Sequence, residues 1–448
     1  MNTTKRSLLW ALGAILIVAA MFGGGGSRYG LANLAVQLTA IAALALHGRA
    51  FVAFWIGAAV PLRILVALSL LLPALFIVPL PQSVWSALPG RELVAQSFEL
   101  AGVAGWATGS VEPVRTLLAL TALITPLAVL VIGLGTGREQ LIDLGWIVVG
   151  LGLANVAIGM VQVLSNGATG LFYPEIPMPG VLFGSFANRN TAGLFLVLCL
   201  SLAALLPIPR RMGTAAFPAR IAVFVLLLLA VLLTRSRTAI VLSALPLGAL
   251  ALQMMSRRLK ETRKRSGASQ MTVVAAIGAG VLVLGAVATL AVGAPGRLGE
   301  VVDRFQEDGT DARAYIWEDS AYSASRYWPV GAGTGTFDDV FQIDESLENI
   351  TLRRAGRAHN DYIEVAIEAG LSGLLLIAGW LALLAWLSWR ARTSPDRWIA
   401  WSGSIALLAI ALQSITDYPL RNQSMLAFAA FTLVLLVRFS IPPRGTRL

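Results

Sequence analysis

Long apolar runs separated by short polar segments dominate the hydrophobic pattern of this chain. Several runs exceed the roughly 18–20 residues that an α-helix needs to cross a bilayer. A transmembrane β-barrel would instead show segments of about ten residues with alternating polarity. Twelve runs fit membrane-spanning helices, at residues 7–22, 31–46, 52–80 (long, and interrupted by Pro61 and Pro73), 114–134, 141–164, 190–207, 217–234, 238–255, 271–293, 361–388, 398–415 and 424–440. The pattern therefore predicts an all-α, polytopic membrane protein whose two termini lie on one side of the membrane.

The polar segments divide the predicted helices into three regions. Residues 1–293 hold transmembrane helices one to nine with short loops, and residues 361–448 hold helices ten to twelve. Residues 294–360 form a long external loop between helices nine and ten. Its many aromatic residues argue against disorder, and a loop of this length is usually functional. Within it, residues 311–328 predict an amphipathic helix, and residues 331–335 predict a tight glycine-rich turn.

Composition and charge support a membrane protein with a defined orientation. The chain is 57% hydrophobic and 13% charged, whereas soluble domains carry about 25% charged residues. The net charge of +10 is unevenly spread, because Lys and Arg concentrate in the short loops on the side of the N-terminus. The positive-inside rule therefore predicts cytoplasmic termini. We interpret the basic cluster at residues 257–265 as an anchor beside anionic lipids, and we expect no nucleic-acid partner.

The first apolar run resembles a signal peptide, because Lys5 and Arg6 precede it. Four glycines, Gly23–Gly26, follow the run, but no small-x-small cleavage site does. Signal peptidases need small residues at fixed positions before the cleaved bond. We therefore predict an uncleaved first helix.

His359 is the first candidate for chemistry. The chain has two histidines, and only His359 lies in a polar stretch, where the long loop meets the tenth apolar run. Asp361 and Glu364 fit a capping box at the start of that helix, which explains the two acids but not the histidine. An imidazole at a lipid–water boundary suits proton transfer near neutral pH. His359 is therefore a candidate catalytic or ligand-binding residue.

Arginines at the predicted external surface are the second candidates. Arg235 and Arg237 lie in a tight turn between two apolar helices, Arg313 lies on the amphipathic helix, and Arg189 stands between two asparagines. Arginine binds phosphate oxygens in a bidentate manner. Interfacial snorkelling and ordinary surface salt bridges are the competing interpretations. The residues alone leave both interpretations open.

The sequence predicts no metal site and no cofactor. It has no cluster of His and Cys residues, and the acidic pair at residues 338–339 lacks a defined ligand spacing. The glycine-rich turn neither follows a strand nor opens a helix, so it is not a dinucleotide-binding fingerprint.

Five short segments together resemble the O-antigen ligase/O-antigen polymerase superfamily of bacterial envelope proteins. The resemblance covers roughly residues 140–380, and no single segment is specific. The segments occur in the order of the family, and the long external loop falls between the ninth and tenth spans. They are Gly184–Asn190, Thr234–Thr238, Arg313–Trp317, Pro329–Gly335, and Ala358–Tyr362 continued by Glu368–Leu371.

The resemblance implies a metal-independent, inverting glycosyl transfer at the periplasmic face of the bacterial inner membrane. The donor would be a glycan on undecaprenyl diphosphate, and the acceptor a lipid A-core sugar or another glycan. Carried over to this chain, His359 would be the base that activates the acceptor hydroxyl. Arg235 and Arg313 would bind the donor diphosphate, with Arg237 and Arg189 as further candidates. Preorganised arginines would stabilise the charge that develops on the leaving diphosphate.

Three functions compete at this point. An O-antigen ligase, which we favour, and a polymerase that extends a polysaccharide on its carrier fit every residue above. A twelve-helix transporter fits less well, because the chain shows no internal repeat and its strongly basic loop follows span eight rather than six. Arg63 is also the only charge placed deep in a predicted span, whereas transporters commonly bury several ionisable groups there.

Overall fold

The computed structural model describes residues 3–26, 28–165, 172–173, 178–208, 216–264, 312–350 and 354–441. The predicted ninth span at residues 271–293 lies outside this part of the chain, as do residues 294–311 of the long loop and the side chains of most of the basic cluster. Regular structure in the described residues is almost entirely helical. The all-α prediction is therefore confirmed, and one short antiparallel pairing joins Pro79–Leu80 to Ala107–Thr108.

The described helices follow the apolar runs closely. The first group is α1 (Thr3–Phe22), α2 (Gly30–Leu46), α3 (Gly48–Gly57), α4 (Val60–Ile77), α5 (Gln82–Trp85), α6 (Glu92–Leu100), α7 (Pro113–Ala122), α8 (Ile124–Gly135) and α9 (Arg138–Leu164). The second group is α10 (Arg189–Leu205), α11 (Ala216–Leu233), α12 (Arg237–Leu242), α13 (Ala244–Lys264), α14 (Ala312–Tyr327), α15 (Phe337–Asp344), α16 (Asp361–Ala391), α17 (Arg397–Gln413) and α18 (Gln423–Phe439). Short 3₁₀ turns occupy Gly23–Gly25 and Pro419–Arg421.

The span predicted at residues 52–80 is interrupted near Pro61, as predicted, but not at Pro73, which lies inside α4. Residues 52–80 do not form a single helix: their first part belongs to α3, which bends by 80° from α2, and α4 begins afresh at Val60. Pro61 lies in the first turn of α4. Proline suits a first turn, but it lacks an N–H and its ring clashes with the carbonyl four residues earlier, so α3 cannot continue through Pro61 into α4.

Several of the described helices are long and apolar enough to cross a bilayer. By length and composition, six helices qualify, or up to seven if the bent α2–α3 pair counts as one span. The helices α10, α11 and α18 are apolar but shorter. The chain is thus a multi-pass membrane protein.

The core of the bundle lies where α1, α8, α10, α17 and α18 pack together. Every residue of α10 from Thr191 to Leu205 is buried. Small residues permit close approach: a Cβ on Gly403 of α17 would overlap the carbonyl of Thr432 on α18. Close packing of this kind stabilises helix association in membranes. Apolar side chains gain little by leaving lipid tails for another helix, so van der Waals contact must hold the helices together.

The loops gather at two opposite ends of the bundle. Backbone hydrogen bonds join the loops of one end: Val111 N–H donates to the Ala332 carbonyl (2.9 Å), and Asp361 N–H to the Ser414 carbonyl (2.9 Å). We call this the loop-rich end, formed by residues 23–26, 28–30, 78–112, 181–188, 234–236, 328–350, 354–361 and 414–422. The opposite end comprises residues 47, 136–138, 206–208, 391–397 and 438–441.

Candidate active site

His359 lies at the loop-rich end, immediately before α16, with a strained backbone. Its φ of +51° falls in the left-handed region, which non-glycine residues rarely adopt. The next residue, Asn360, caps the helix: its side-chain oxygen accepts from Tyr362 N–H (2.9 Å) and Ile363 N–H (3.1 Å). The predicted capping box is therefore wrong, because asparagine is itself a preferred N-cap and leaves the acids of the first turn for other partners.

The His359 ring is enclosed on one side by residues from the loop between α17 and α18. Its Nδ1 lies 3.4 Å from Oδ1 of the buried Asp417, and no group forms a hydrogen bond to Nδ1 in the described residues. Asn188 Nδ2 donates to both carboxylate oxygens of Asp417, at 3.4 and 3.2 Å. The Tyr418 ring packs edge-on to the imidazole at 5.0 Å. About a third of the His359 side chain (34%) stays exposed, so the ring is held in place and remains open to a substrate.

Tyr418 packs beside the imidazole as an uncharged phenol. Burial, and then the nearby Asp417 carboxylate, raise the pKa of Tyr418 to about 12. The phenol therefore keeps its proton at any physiological pH. It shapes the site by packing rather than by proton transfer.

Behind His359 lies a buried ion cluster that the sequence did not reveal. Arg421 reaches three carboxylates of α16: Nη1 to Glu368 (2.9 Å), Nη2 to Glu364 (3.1 Å) and Nε to Asp361 (3.4 Å). These acids occupy successive turns of one helix face, as a spacing of three and four residues requires. Burial alone would lower the pKa of Arg421, but the carboxylates, Glu368 foremost, raise it, so the guanidinium stays charged.

Arg235 lies in the turn between α11 and α12, as predicted, and is half-buried. Its φ is also +51°, and it shares this left-handed conformation only with His359 among the described non-glycine residues. Ser236 caps α12 by accepting from Ala239 N–H (3.3 Å). Thr238 then meets Thr416, the neighbour of Asp417, through a hydroxyl–hydroxyl contact of 3.2 Å. The arginine turn and the Asp417 segment therefore lie side by side.

The other arginines differ in position. Arg237 is the first residue of α12 and is exposed. Arg189 opens α10, and Asn190 beside it accepts a hydrogen bond from Gln413 at the end of α17 (2.8 Å). This contact places the start of α10 next to the Asp417 segment.

Arg313 lies near the start of α14, which confirms a helix at the predicted position, although its buried side includes the polar residues Asp319, Ser320 and Ser323. Trp317, four residues further on, shares its helix face. The indole of Trp317 donates to the carbonyl of Ala358 (2.8 Å), the residue before His359. The face that carries Arg313 is therefore anchored beside the histidine.

Two of the sequence segments, Pro329–Gly335 and Glu368–Leu371, are joined by backbone hydrogen bonds, and we call this pairing the backbone lock. Ala332 N–H donates to Ile367, Gly333 N–H to Glu368, and Leu371 N–H back to Pro329, at 2.8, 2.8 and 2.9 Å. Gly370, with φ +55°, breaks α16 at this point. A Cβ on Gly331 would lie 2.6 Å from the Glu368 carbonyl oxygen. Glycine is therefore needed here, because it allows the turn and the α16 backbone to approach closely.

Arg91 braces this lock from the segment between α4 and α7. The side chain is 1% exposed and donates to the carbonyls of Pro89 (2.9 Å), Gly331 (2.9 Å) and Gly109. Burial lowers the pKa of Arg91 to about 10, which still leaves it charged. Nothing in its sequence surroundings distinguishes it from a surface arginine.

The residues Asp417, Tyr418 and Arg421 were also missed by sequence reasoning. They form a polar group between the last two apolar runs, and that mixture of an acid, an aromatic residue and an arginine was the available signal. Asp417 and Tyr418 meet His359, and Arg421 meets acids of α16, about 50 to 60 residues away in the chain. Only folding shows which side chains they meet.

Fold and site together define a multi-pass helical membrane protein with a partly exposed imidazole, beside the buried Asp417, at one end of its bundle. Residues 222–378 match the family model described as O-antigen ligase. This match supports assignment of the chain to the O-antigen ligase/polymerase superfamily, as the sequence predicted. It covers less than half of the chain, including His359, Arg235, Arg237 and Arg313, and leaves Arg189 outside. No curated protein matches the chain.

Proposed function

We propose that the protein is an O-antigen ligase-type inverting glycosyltransferase. It moves a glycan from undecaprenyl diphosphate to a hydroxyl group of a lipid A-core sugar. The family match supports glycan transfer by a membrane enzyme of this superfamily. The observation that carries the proposal is the convergence of His359, in its strained backbone conformation, with the Arg235 turn at one end of the bundle.

His359 acts as the general base. Asp417 faces Nδ1 at 3.4 Å, which leaves Nε2 to accept the proton of the acceptor hydroxyl. The carboxylate then stabilises the imidazolium that forms. Catalytic hydrogen bonds are often long without substrate and tighten in the reacting complex. The acceptor oxygen attacks the anomeric carbon, and the bond from that carbon to the diphosphate oxygen breaks on the opposite face, with inversion.

The arginines stabilise the leaving group. Undecaprenyl diphosphate departs with the electron pair of the broken bond, so negative charge grows on its oxygens. Arg235 and Arg313 bind these oxygens, and Arg237 and Arg189 extend the positive border. In a partly water-excluded site such fixed charges lower the barrier effectively, and the proposed reaction therefore requires no metal.

We place the loop-rich end in the periplasm and both termini in the cytoplasm. The distribution of Lys and Arg over the short loops supports this orientation. In the same proposal the chain crosses the inner membrane twelve times, and the long loop joins helices nine and ten.

A lipopolysaccharide gel from cells that lack this protein tests the proposed activity. Lipid A-core without any attached repeats is the expected result. Core that carries a single repeat and no ladder would identify a polymerase instead. An unchanged ladder would contradict both assignments and direct attention to another polysaccharide or to transport.

The substitution His359→Ala tests the assigned base. We expect transfer to fall by about 100- to 10,000-fold, while the protein remains folded in the membrane. His47→Ala is the matched control, because His47 lies at the opposite end and contacts Ser7 (2.8 Å). The measurement is glycan transfer in membranes that contain equal amounts of each variant. Wild-type activity of H359A would refute the assignment.

A further inference from the structure

All three guanidinium nitrogens of Arg421 contact carboxylates, so this side chain cannot bind the diphosphate of the glycan donor. Each nitrogen of its guanidinium faces a different acid of α16, at 2.9 to 3.4 Å. The side chain is 18% exposed, and Glu364 and Glu368 are almost completely buried. A buried arginine whose three nitrogens all face carboxylates has no pair of N–H groups left to bind a phosphate. Arg421 must therefore act through the groups that it contacts.

The first connection from this cluster leads to the segment before His359. Glu364 accepts from Arg421 with Oε2 and from the Ala358 N–H with Oε1 (3.0 Å). The same carboxylate binds Arg357 Nη1 (3.2 Å). Glu364 thus holds the two residues that directly precede His359.

The second connection leads to the opposite side of the imidazole. Arg421 belongs to the short loop between α17 and α18, and this loop also carries Asp417 and Tyr418. Both residues face the His359 ring. Arg421 therefore joins the segment that carries His359 to the segment that encloses it.

The backbone of His359 requires such a restraint. A non-glycine residue persists at positive φ only where surrounding contacts impose that conformation. We infer that Arg421 is a positioning residue, which holds His359 and Asp417 in their working geometry by clamping the start of α16 to the α17–α18 loop. This inference rests on the proposed function for its kinetic consequence but not for its structural one.

The kinetic test compares Arg421→Gln with Arg326→Gln. Arg326 also forms a largely buried ion pair, with Asp344 (2.5 Å), but within the described residues no hydrogen bond or ion pair joins Arg326 or Asp344 to the segments that hold His359. A displacement of about 1 Å at a catalytic group can cost about 100-fold in rate. We expect R421Q to lower kcat by about that factor and to leave KM for the donor nearly unchanged, whereas R326Q keeps kcat within a few-fold of wild type.

The second readout is independent of transfer. In a His47→Gln background without a histidine tag, His359 is the only histidine, so carbethoxylation by diethylpyrocarbonate reports on that ring alone. We expect R421Q to accelerate the modification several-fold, because Asp417 and Tyr418 no longer enclose the imidazole. R326Q should leave the rate unchanged.

The outcomes separate the two proposals. If wild-type protein transfers no glycan, the proposed function fails, while the modification rate still tests Arg421. If folded R421Q shows the wild-type modification rate, the positioning role is overturned. Should R421Q not fold, Glu364→Gln serves instead: it still accepts from Ala358 N–H but loses the charge that binds the two arginines, and it should accelerate modification in the same way.

Discussion

Both ends of the bundle contain partly buried arginines, but Arg138 and Arg438 at one end bind mainly carbonyl groups, whereas Arg421 beside His359 binds only carboxylates among the described residues. At the opposite end, Arg138 donates to the carbonyls of Arg438 (2.5 Å) and Ile441 (3.3 Å) and pairs with Asp396 (2.5 Å). Arg438 in turn donates to the carbonyl of Thr136 (3.2 Å). At the loop-rich end, Arg421 binds three carboxylates of one helix.

The difference shows what each end is built to do. The arginines of the opposite end cover carbonyl groups where α8 and α18 terminate, which is a favourable place for cations and an anchoring role. The loop-rich end places acids and Arg421 around His359, and the Arg235 turn, the other described non-glycine site with positive φ, packs beside the Asp417 segment. Strain that is stabilised by surrounding charge pairs is a feature of functional sites.

The largest effect expected from this comparison concerns the strained arginine. Arg235→Ala should lower glycan transfer by about 100- to 1,000-fold, because it removes a fixed charge from the leaving diphosphate. Arg237→Ala, two residues away on an exposed and unstrained backbone, should cost only a few-fold. The measurement is the transfer rate per folded protein. A larger loss in R237A than in R235A would reverse the ranking that the structure suggests.

A second prediction concerns the backbone lock that supports the site. Gly370→Ala should destabilise the protein by about 1–3 kcal/mol, because its Cβ would overlap the Pro329 carbonyl at a φ of +55°. Gly150→Ala in α9 is the control, since nothing lies within 4 Å of its added Cβ. Thermal unfolding in detergent measures both. Equal midpoints for the two variants would show that the lock contributes little.

The smallest effect should come from the opposite end. Asp396→Asn removes the carboxylate partner of Arg138, but both side chains are partly exposed (36% and 24%). Exposed ion pairs contribute about 0–1 kcal/mol, so stability should fall by no more than that and transfer should stay near wild type. Asp417→Asn, at the loop-rich end, should instead lower transfer more than tenfold. Similar transfer rates for D396N and D417N would remove the distinction between the ends.

Helix starts, helix breaks and helix caps could be predicted from the sequence to different degrees. The starts of α10 and α16 lie within one residue of their predicted positions, because a polar cap is followed at once by a long apolar run. In the span predicted at 52–80, the sequence marked both Pro61 and Pro73 as interruptions, but it could not show that only Pro61 lies at a break while α4 continues through Pro73. The capping box failed because Asn360 satisfies the N-terminal amides first.

The candidate site was readable only in part. The sequence singles out His359 and Arg235 as candidates, because a lone histidine and an arginine pair are unusual beside apolar runs. Their positive φ values were not found, since backbone strain depends on contacts made after folding. Asp417 and Arg421 were missed for a related reason: an acid or an arginine in a short external loop has the same local pattern whether or not it has a distant partner.

The amino-acid sequence by itself determined the class of this protein, a helical bundle that crosses the membrane, because apolar run length responds directly to bilayer thickness. It also determined which segments resemble a known superfamily. Tertiary structure alone decided that the loop after α17 encloses His359, and that Arg421 gathers three acids of α16. The physical reason is that ion pairs and ring contacts depend on distances across the folded chain, and residues far apart in the sequence carry no local sign of them.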